Sequence, residues 1–409
     1  MQNLPSENLL QHIWQSKYLL KYALETTDGE AISVLRAGYL NTGQGPDFFE
    51  ARVKIGETLW AGNLEIHVKS SDWRKHKHSM DAAYQNIILH VVFLHDETVY
   101  DNAGNALSTL ELINLIPESL LIQYEQLMKS KTSIPCQNQF KMPEKELVNI
   151  LIERLIIERL NLKHELINVL LQKNNLHWEE LLIQLLFQYA GMGLNAFPME
   201  QLVRSIQFTL IQKYRSDHLS LLAIFAGVSG LDLDKFEPGI TQRFIELKKL
   251  HDLGQIEKSL WKKKGNRPAS FPERRIIQMV DLLHAQPQFL RQILKSDDII
   301  TLQNLIPSKS ATYVNGIIIN VIIPIKFAYG RFEGKAGQEE MVIKLLESIK
   351  AEENSVIYLF IDLGIEIENA KESQAFLHLK KYYCNQKKCL SCLFVSHIFS
   401  YPKKFNSGY

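Results

Sequence analysis

The spacing of apolar residues changes near residue 117, and this change limits what the chain can fold into. Before it, apolar and polar residues alternate over short stretches such as 31–36 and 58–69, which is the period of a β-strand. After it, apolar residues recur every three or four positions, as in 147–162, which is the period of a helix. The chain is therefore expected to join a mixed α/β region to a longer helical region.

The first hundred residues predict the order helix, three strands, helix, strand. Ser6 precedes a helical apolar pattern and is typical of a helix N-cap. Strands are predicted in three stretches, the last of them bent at Gly62: 31–36, 51–55 and 58–69. A helical pattern follows at 72–85, and the apolar run 87–94 predicts a strand buried on both faces. The turn residues 101–104 predict a hairpin.

Three regions follow from these patterns, and together they predict an α/β plus all-α protein. Residues 1–116 are expected to form an αβββαβ core around a mixed sheet, and residues 117–295 a helical domain. Residues 296–409 are expected to form an α/β or helical region that carries three of the four cysteines.

Composition and net charge limit the kinds of molecule that the protein is expected to bind. Hydrophobic residues make up 46% of the chain and the net charge is +1, so the protein is globular and has no overall field that attracts nucleic acid. A DNA or RNA partner therefore needs a local basic patch. The start of the chain lacks a secretion signal, and the apolar stretch 316–328 contains Asn320 and Lys326 and is too short for a bilayer. We expect a cytoplasmic protein without membrane contact; its oligomeric state stays open.

The residues with the clearest chemistry lie on the second and third predicted strands. Asp47 opens one strand, and Glu65, His67 and Lys69 occupy alternate positions on the next, so these three point to one face. Two carboxylates from neighbouring strands can hold Mg²⁺ or Mn²⁺, and a cation or imidazole beside them can orient the attacking water. Two alternatives stay open: an aspartate after Gly-Pro that serves only the turn, and a glutamate that is only solvated.

This order of elements, with Pro46-Asp47 and Glu65-x-His67, resembles the PD-(D/E)XK nuclease superfamily over about the first quarter of the chain. The resemblance implies a nuclease core in which Asp47 and Glu65 bind the catalytic metal ion. The sequence departs from the superfamily pattern at the usual lysine, which is His67 here, and Lys69 on the same face is a possible substitute. The resemblance therefore implies the fold more firmly than the activity.

The whole chain also resembles a bacterial family of about this length that is described only as a domain of unknown function. The stretches that carry this resemblance are GPDFFEA, GNLEIHVKSSDW, NRPASFPERR and YYCNQKKCLSC. The family implies no activity for this chain.

A basic segment follows the third strand and is a candidate nucleic-acid contact. Its cations can bind phosphates and its imidazoles can contact the scissile phosphate or assist water; the residues are Arg74, Lys75, His76, Lys77 and His78. The alternative is an ordinary solvated helix start. A second basic stretch at 262–275 is a weaker candidate. His90, inside the apolar strand, is expected to be a hydrogen-bonded core histidine.

The cysteines predict a second metal site. Cys384, Cys389 and Cys392 lie within nine residues, and the fourth ligand is either Cys136 or His397. The spacing fits zinc and an iron–sulfur cluster equally. The alternative is that these thiols only pack in a core.

Three functions remain open from sequence. The favoured one is metal-dependent hydrolysis of phosphodiester bonds in DNA or RNA. The second is a noncatalytic nucleic-acid-binding or scaffold protein that keeps a degenerate nuclease fold, and the third is a hydrolase of a small phosphorylated molecule.

Overall fold

The computed structural model describes residues 4–16, 18–308 and 310–400. These residues fall into two compact units: the first contains the described residues of 1–143 and 381–409, and the second contains 144–380. The N-terminal strands and the C-terminal cysteines therefore belong to one unit. The boundaries predicted near residues 116 and 295 differ from this division and stay predictions.

The first unit is built on a mixed sheet flanked by short helices. Its helices and strands in chain order are α1 (Glu7–Gln15), β1 (Leu24–Glu25), β2 (Ala31–Arg36), β3 (Tyr39–Leu40), β4 (Phe48–Ile55), β5 (Thr58–Lys69), α2 (Asp72–Lys75), β6 (Ile87–Leu94), β7 (Thr109–Glu111) and α3 (Glu118–Lys129). The predicted first helix, the strands and their mixed sheet are confirmed. Three short strands, β1, β3 and β7, had no clear sequence signal because they contain only two or three residues each.

The sheet order explains which residues become neighbours. Among the described residues, the strands run β1-β2-β4-β5-β6-β7, with β3 also paired to β4. β2, β4 and β5 are antiparallel, whereas β5 and β6 are parallel. A parallel pair needs a crossover connection, so residues 70–86 must pass over one face of the sheet.

The predicted helix at 72–85 is wrong in its extent. α2 ends at Lys75, and two 3₁₀ turns follow, His78–Met80 and Ala82–Tyr84. The break falls at Lys77, whose φ of 61° lies in the left-handed region and cannot continue a helix. Asp81 is extended and caps the second turn by accepting a hydrogen bond from the N–H of Ala83. Local backbone geometry has overridden the helical pattern here.

Two smaller predictions in this unit are confirmed. The Ser6 side chain accepts a hydrogen bond from the N–H of Leu9 and caps α1. The turn at 101–104 closes an antiparallel bridge between Tyr100 and Ala106. Both follow from local sequence, which needs no long-range contact to form.

The C-terminal segment adds short helical pieces to the first unit. A π-helical turn at Lys380–Cys384 leads to a 3₁₀ turn at Cys389–Ser391 and then to α18 (Leu393–Ser400). Phe394 packs edge-on against Phe140 with ring centroids 5.3 Å apart, and the Lys387 ammonium donates to the carbonyl of Met128. Residues far apart in sequence thus complete one unit.

The second unit is helical, as predicted for the middle of the chain. Its helices are α4 (Lys145–Lys173), α5 (Trp178–Ala190), α6 (Ala196–Arg204), α7 (Phe208–Tyr214), α8 (His218–Val228), α9 (Ile240–His251), α10 (Pro272–Ala285), α11 (Phe289–Lys295), α12 (Ile299–Asn304), α13 (Ala311–Ile317), α14 (Ile323–Phe332), α15 (Gln338–Glu347), α16 (Ser355–Ile361) and α17 (Ala370–Leu379). One large apolar core runs through it, and α8 is buried from Ser220 to Val228.

One helix of this unit is long and apolar enough to cross a membrane by length and composition. It runs from Ala311 to Phe332 and consists of α13, the π-helical segment Ile318–Ile322 and α14, so it extends beyond the apolar stretch 316–328 that the sequence indicated. Most of it is buried inside the unit, and Lys326 donates to the carbonyls of Ile293 and Ser296. A buried lysine paired with protein carbonyls is the mark of a core helix.

Gly62 controls how closely β5 approaches the crossover, and this gives a stability prediction. A Cβ at this position would lie 2.5 Å from Cγ2 of Ile88 and 2.7 Å from the carbonyl oxygen of Asn86. We expect Gly62→Ala to lower the free energy of unfolding by about 1–3 kcal/mol because the strands must separate. Thermal and urea unfolding measure this. Gly43→Ala, where the nearest atom is 3.4 Å away, is the control, and equal stability of the two variants would contradict the close approach.

Candidate metal centre

Asp47 and Glu65 lie beside each other where β4 begins. The N–H of Asp47 donates to Oε2 of Glu65 at 3.1 Å, and the N–H of Ile66 donates to Oδ2 of Asp47 at 3.0 Å. These reciprocal bonds hold the two carboxylates together at one edge of the strand pair. The structure therefore brings together the two residues that the sequence predicted as a pair.

Helix α1 supplies two polar side chains that the sequence analysis missed. Gln11 donates through Nε2 to Oδ1 of Asp47 at 2.8 Å. Glu7, one turn earlier, is half-buried; burial raises its pKa, and the nearby His76 opposes that rise. Their spacing of four residues puts both on one helix face. No local sequence pattern predicts which strand that face of α1 packs against.

Three histidines converge beside Glu65, and we call His67, His76 and His78 the histidine cluster. One ring nitrogen from each lies within 4.8 Å of the others. Nε2 of His67 is 3.1 Å from Nδ1 of His76. Oε1 of Glu65 lies 3.5 Å from Nε2 of His67 and 3.3 Å from Nε2 of His78. Three imidazole nitrogens and one carboxylate oxygen therefore point into one small volume.

The backbone break after α2 creates this cluster. His67 and Glu65 share one face of β5. The crossover covers that face, since His67 contacts His76. The left-handed Lys77 then turns the chain so that both His76 and His78 point back toward β5. Asp72 fixes the start of α2 by accepting a hydrogen bond from the N–H of Lys69 at 3.0 Å. A regular helix over 72–85 would have carried the two histidines to other positions.

Buried rings behind the cluster keep it in place. Nε2 of His90 lies 2.8 Å from Nδ1 of His67, so His90 is a hydrogen-bonded core histidine as expected. The ring of Tyr84 stacks on His78 with centroids 3.8 Å apart. Trp73 packs edge-on against both His78 and Tyr84, and its Nε1 donates to the carbonyl of Tyr100. Little freedom remains for His67 and His78.

Burial sets the charge of these groups. It raises the pKa of Glu65, and the neighbouring Asp47 raises it further, whereas the contact with His78 opposes both. Burial also raises the pKa of Asp47. It lowers the pKa of His67 to about 2 and that of His90 to about 3, so both rings are neutral at pH 7. A neutral imidazole keeps a lone pair, which is the form that binds metal ions.

One buried atom shows that the donor set suits a cation. Nε2 of His78 has no hydrogen-bond partner although it is buried, and the nearby Glu65 oxygen does not meet it with hydrogen-bond geometry. Such an atom is costly unless something binds it. A divalent ion shared with Glu65 would satisfy it, so the residues present fit a metal ion.

The predicted phosphate-binding cations lie on the outer side of the segment that carries the cluster. Arg74 and Lys75 are exposed and paired with Glu97 and Asp72. Lys77 is also exposed. Lys69 is half-buried at the end of β5. His78, predicted as a phosphate contact, is instead buried at the centre of the site, whereas His76 is exposed.

Part of the second basic stretch, 262–275, makes contacts within the second unit. Lys263 pairs with the buried Glu273, and the buried Arg275 lies 3.9 Å from the ring of Tyr313. These two side chains stabilise the packing around α10. They are therefore not free to follow a nucleic-acid backbone.

Three of the four cysteines lie near one another in the first unit. Cys136, Cys389 and Cys392 are buried and Cys384 is half-buried. Burial raises the pKa of Cys136 to about 12, and the neighbouring Cys392 and Cys389 add to the rise. In the described part of the chain, however, no three thiols lie as close together as the histidine cluster. The metal prediction for the cysteines, with His397 as the other candidate ligand, stays a prediction.

Ser70 joins the end of β5 to the loop after β6 and so fixes where the histidine segment begins. Its hydroxyl donates to Asp96 and accepts hydrogen bonds from the N–H groups of Asp96 and Glu97. We expect Ser70→Ala to destabilise the protein by about 1–3 kcal/mol because the buried hydroxyl of Ser70 and its three hydrogen bonds are lost. Chemical unfolding measures it. Ser79→Ala in the same crossover is the control, and a Ser70→Ala variant as stable as that control would refute this role.

Comparison with known proteins gives one match. A family model described as a protein of unknown function (DUF2851) matches residues 7–316 and 307–355. No curated protein and no solved structure matches the chain.

Proposed function

We propose that this chain, which belongs to the family of proteins of unknown function described as DUF2851, is a metal-dependent nuclease that hydrolyses phosphodiester bonds of DNA or RNA. The observation that carries the proposal is the pair of carboxylates, Asp47 and Glu65, held side by side on adjacent strands next to imidazole nitrogens. Paired acidic groups of this kind bind divalent ions that act on phosphates.

The topology around the pair supports the proposal. Helix α1 precedes β2, β4 and β5, which form an antiparallel meander, and a crossover containing α2 leads to β6, parallel to β5. This is the αβββαβ order that the PD-(D/E)XK resemblance implies, with Asp47 at the start of the second long strand and Glu65 on the third. Fold similarity alone does not give a reaction, so the proposal depends on the site.

The chain's own residues have separable tasks in this proposal. An ion bound at Glu65 and Asp47, Mg²⁺ or Mn²⁺, would lower the pKa of a bound water and screen the phosphate charge. His67 holds its place beside Glu65 but is neutral and almost fully buried, so it cannot supply the positive charge of the usual lysine. Lys69 is the cation on the same strand face that can do so. Arg74, Lys75 and Lys77 are exposed and would bind the flanking phosphates, for which Arg74 and Lys75 would have to exchange their present acidic partners.

Removing either carboxylate tests the proposal. We expect Asp47→Asn and Glu65→Gln each to reduce cleavage of mixed DNA and RNA substrates at least about 100-fold, since residues that only support a metal ligand already cost 10–100-fold. Cleavage in Mg²⁺ or Mn²⁺ is followed on gels with labelled substrates. Glu57→Gln is the control, because Glu57 is exposed and pairs only with Lys54 at the hairpin.

Other outcomes would identify the other functions. Binding of nucleic acid that is unchanged in both variants, without cleavage in any ion, would favour the scaffold protein. Hydrolysis restricted to small phosphate esters would favour the third function. Either result would overturn the nuclease proposal. Cytoplasmic location and the nucleic-acid partner belong to the same proposal and depend on it.

We also propose that the cysteines bind zinc or an iron–sulfur cluster, with Cys136 as the fourth ligand. Cys136 lies near Cys389 and Cys392 in the same unit although it is more than two hundred residues away in sequence. A bound metal would deprotonate thiols whose pKa burial has raised, and would connect the C-terminal segment to the rest of the unit.

Metal analysis of protein purified without oxygen tests this proposal. We expect zinc or iron in the native protein, detected by mass spectrometry and, for iron, by visible absorption. Cys392→Ser should lose that metal because a four-ligand site cannot keep its affinity with three thiolates. Ser391→Ala is the neighbouring control. Equal metal content in the two variants would show that the thiols only pack in a core.

A further inference from the structure

The donor atoms of the candidate site include more nitrogen than a magnesium site uses. Imidazole nitrogens of His67, His76 and His78 surround one volume with Oε1 of Glu65 at its side. Magnesium prefers oxygen ligands and keeps several waters. Imidazole instead suits zinc, copper, iron and nickel.

We infer that the ion of this site is a divalent transition metal held by the histidine cluster and Glu65, and that Mg²⁺ is a poor occupant. The inference rests on the proposed function, since it names the ion of the same site. It adds three imidazole nitrogens to the donor set of the proposed function. No sequence motif indicates that these three histidines bind one ion together.

The distances suit one shared ion. Two nitrogens that each lie about 2.0–2.1 Å from a metal ion are separated by about 3.0–3.4 Å at ordinary coordination angles. Nε2 of His67 and Nδ1 of His76 are 3.1 Å apart, within that range. The remaining separations are at most 4.8 Å. His76 is exposed, so its ring can rotate to shorten its separation from His78. His67 and His78 are fixed by burial, and both already lie close to the same oxygen of Glu65.

Hydrogen bonding among neutral rings does not explain the whole arrangement. The rings can form a chain in which His90 donates to His67 and His67 donates to His76. That chain leaves Nε2 of His78 buried and unpaired. If instead Nδ1–H of His67 donates to His90, then all three cluster nitrogens can present lone pairs to one ion. In the second arrangement an ion shared with Oε1 of Glu65, 3.3 Å away, would give the nitrogen of His78 a partner, while Nδ1 of His90 is buried without one in both arrangements.

His90 is then a positioning residue. It does not reach the ion, but its Nε2 accepts a hydrogen bond from Nδ1–H of His67 and so fixes which nitrogen of His67 faces the site. Metal-bound histidines usually have such a partner, and loss of the partner weakens binding by 10–100-fold. This role separates His90 from a residue that only fills the core.

A titration without substrate tests the inference. The full-length protein is stripped of metal with a chelator and titrated with Co²⁺, whose visible d–d absorption reports nitrogen coordination, and with Mn²⁺ followed by electron paramagnetic resonance. We expect about one Co²⁺ at this site, not displaced by a 100-fold excess of Mg²⁺. Near-ultraviolet thiolate-to-cobalt bands would reveal separately any ion at the cysteines.

Variants assign the ligands. His76→Asn and His78→Asn should each weaken Co²⁺ binding about 100-fold or more, and His90→Asn by 10–100-fold. His12→Asn, a histidine of the same unit outside the cluster, should bind as the native protein does. His76 is exposed, so its variant is expected to fold normally, which circular dichroism checks.

The possible results are distinguishable. The inference is overturned if the native protein takes up no Co²⁺ at a nitrogen site, if Mg²⁺ displaces it at similar concentration, or if both cluster variants bind like the native protein. Tight Co²⁺ binding that depends on the cluster supports it. If such binding occurs but no ion supports cleavage of nucleic acid, the proposed nuclease function fails while the metal assignment stands.

Discussion

The candidate site depends on the reciprocal hydrogen bonds between the start of β4 and the middle of β5. The pairing of these strands is irregular between Phe48 and Ala51, where Glu50 adopts a φ of 55°. At this irregularity the ordinary ladder is interrupted, and the two carboxylates take over backbone N–H groups near it. Each acid is therefore both a structural acceptor and a chemical group. This double use explains how the half-buried Asp47 and the buried Glu65 can lie beside each other, since buried polar atoms persist only when they are bonded.

A second break in regular structure supplies the nitrogens. The crossover between β5 and β6 would pack more simply as one helix, yet the chain bends at Lys77 into the left-handed region. A non-glycine residue in that conformation costs free energy and persists only where its surroundings fix it. Here the surroundings are the stacked rings of His78, Tyr84 and Trp73. The strain has a result that a helix would not give, because it directs two histidines toward the strand that carries Glu65.

The strands and the acidic pair could be predicted from the sequence because both follow from short-range rules. Alternation fixes the shared face of Glu65 and His67, and the Gly-Pro turn fixes where β4 begins, near Asp47. The presence of Gln11 and Glu7 at the site and the orientation of His78 could not be predicted. Those depend on which face α1 presents to the sheet and on one left-handed residue in a stretch with helical periodicity, and both are decided by packing. The return of the C-terminal segment to the first unit is also a long-range event that no local pattern records.

Under the proposed function, His67 stands at the position where the PD-(D/E)XK pattern has a lysine, and its deep burial bears on that difference. A lysine at a position so deeply buried would need a permanent counter-charge, and the adjacent Glu65 would be consumed as its partner. A neutral imidazole has no such requirement, so the free oxygen of Glu65 stays available beside a lone pair. Under the proposal, the site lacks the fixed positive charge of a lysine but can bind a positively charged metal ion. Under the proposal, the positive charge near the phosphate would come from the bound metal ion and from Lys69 at the end of the strand.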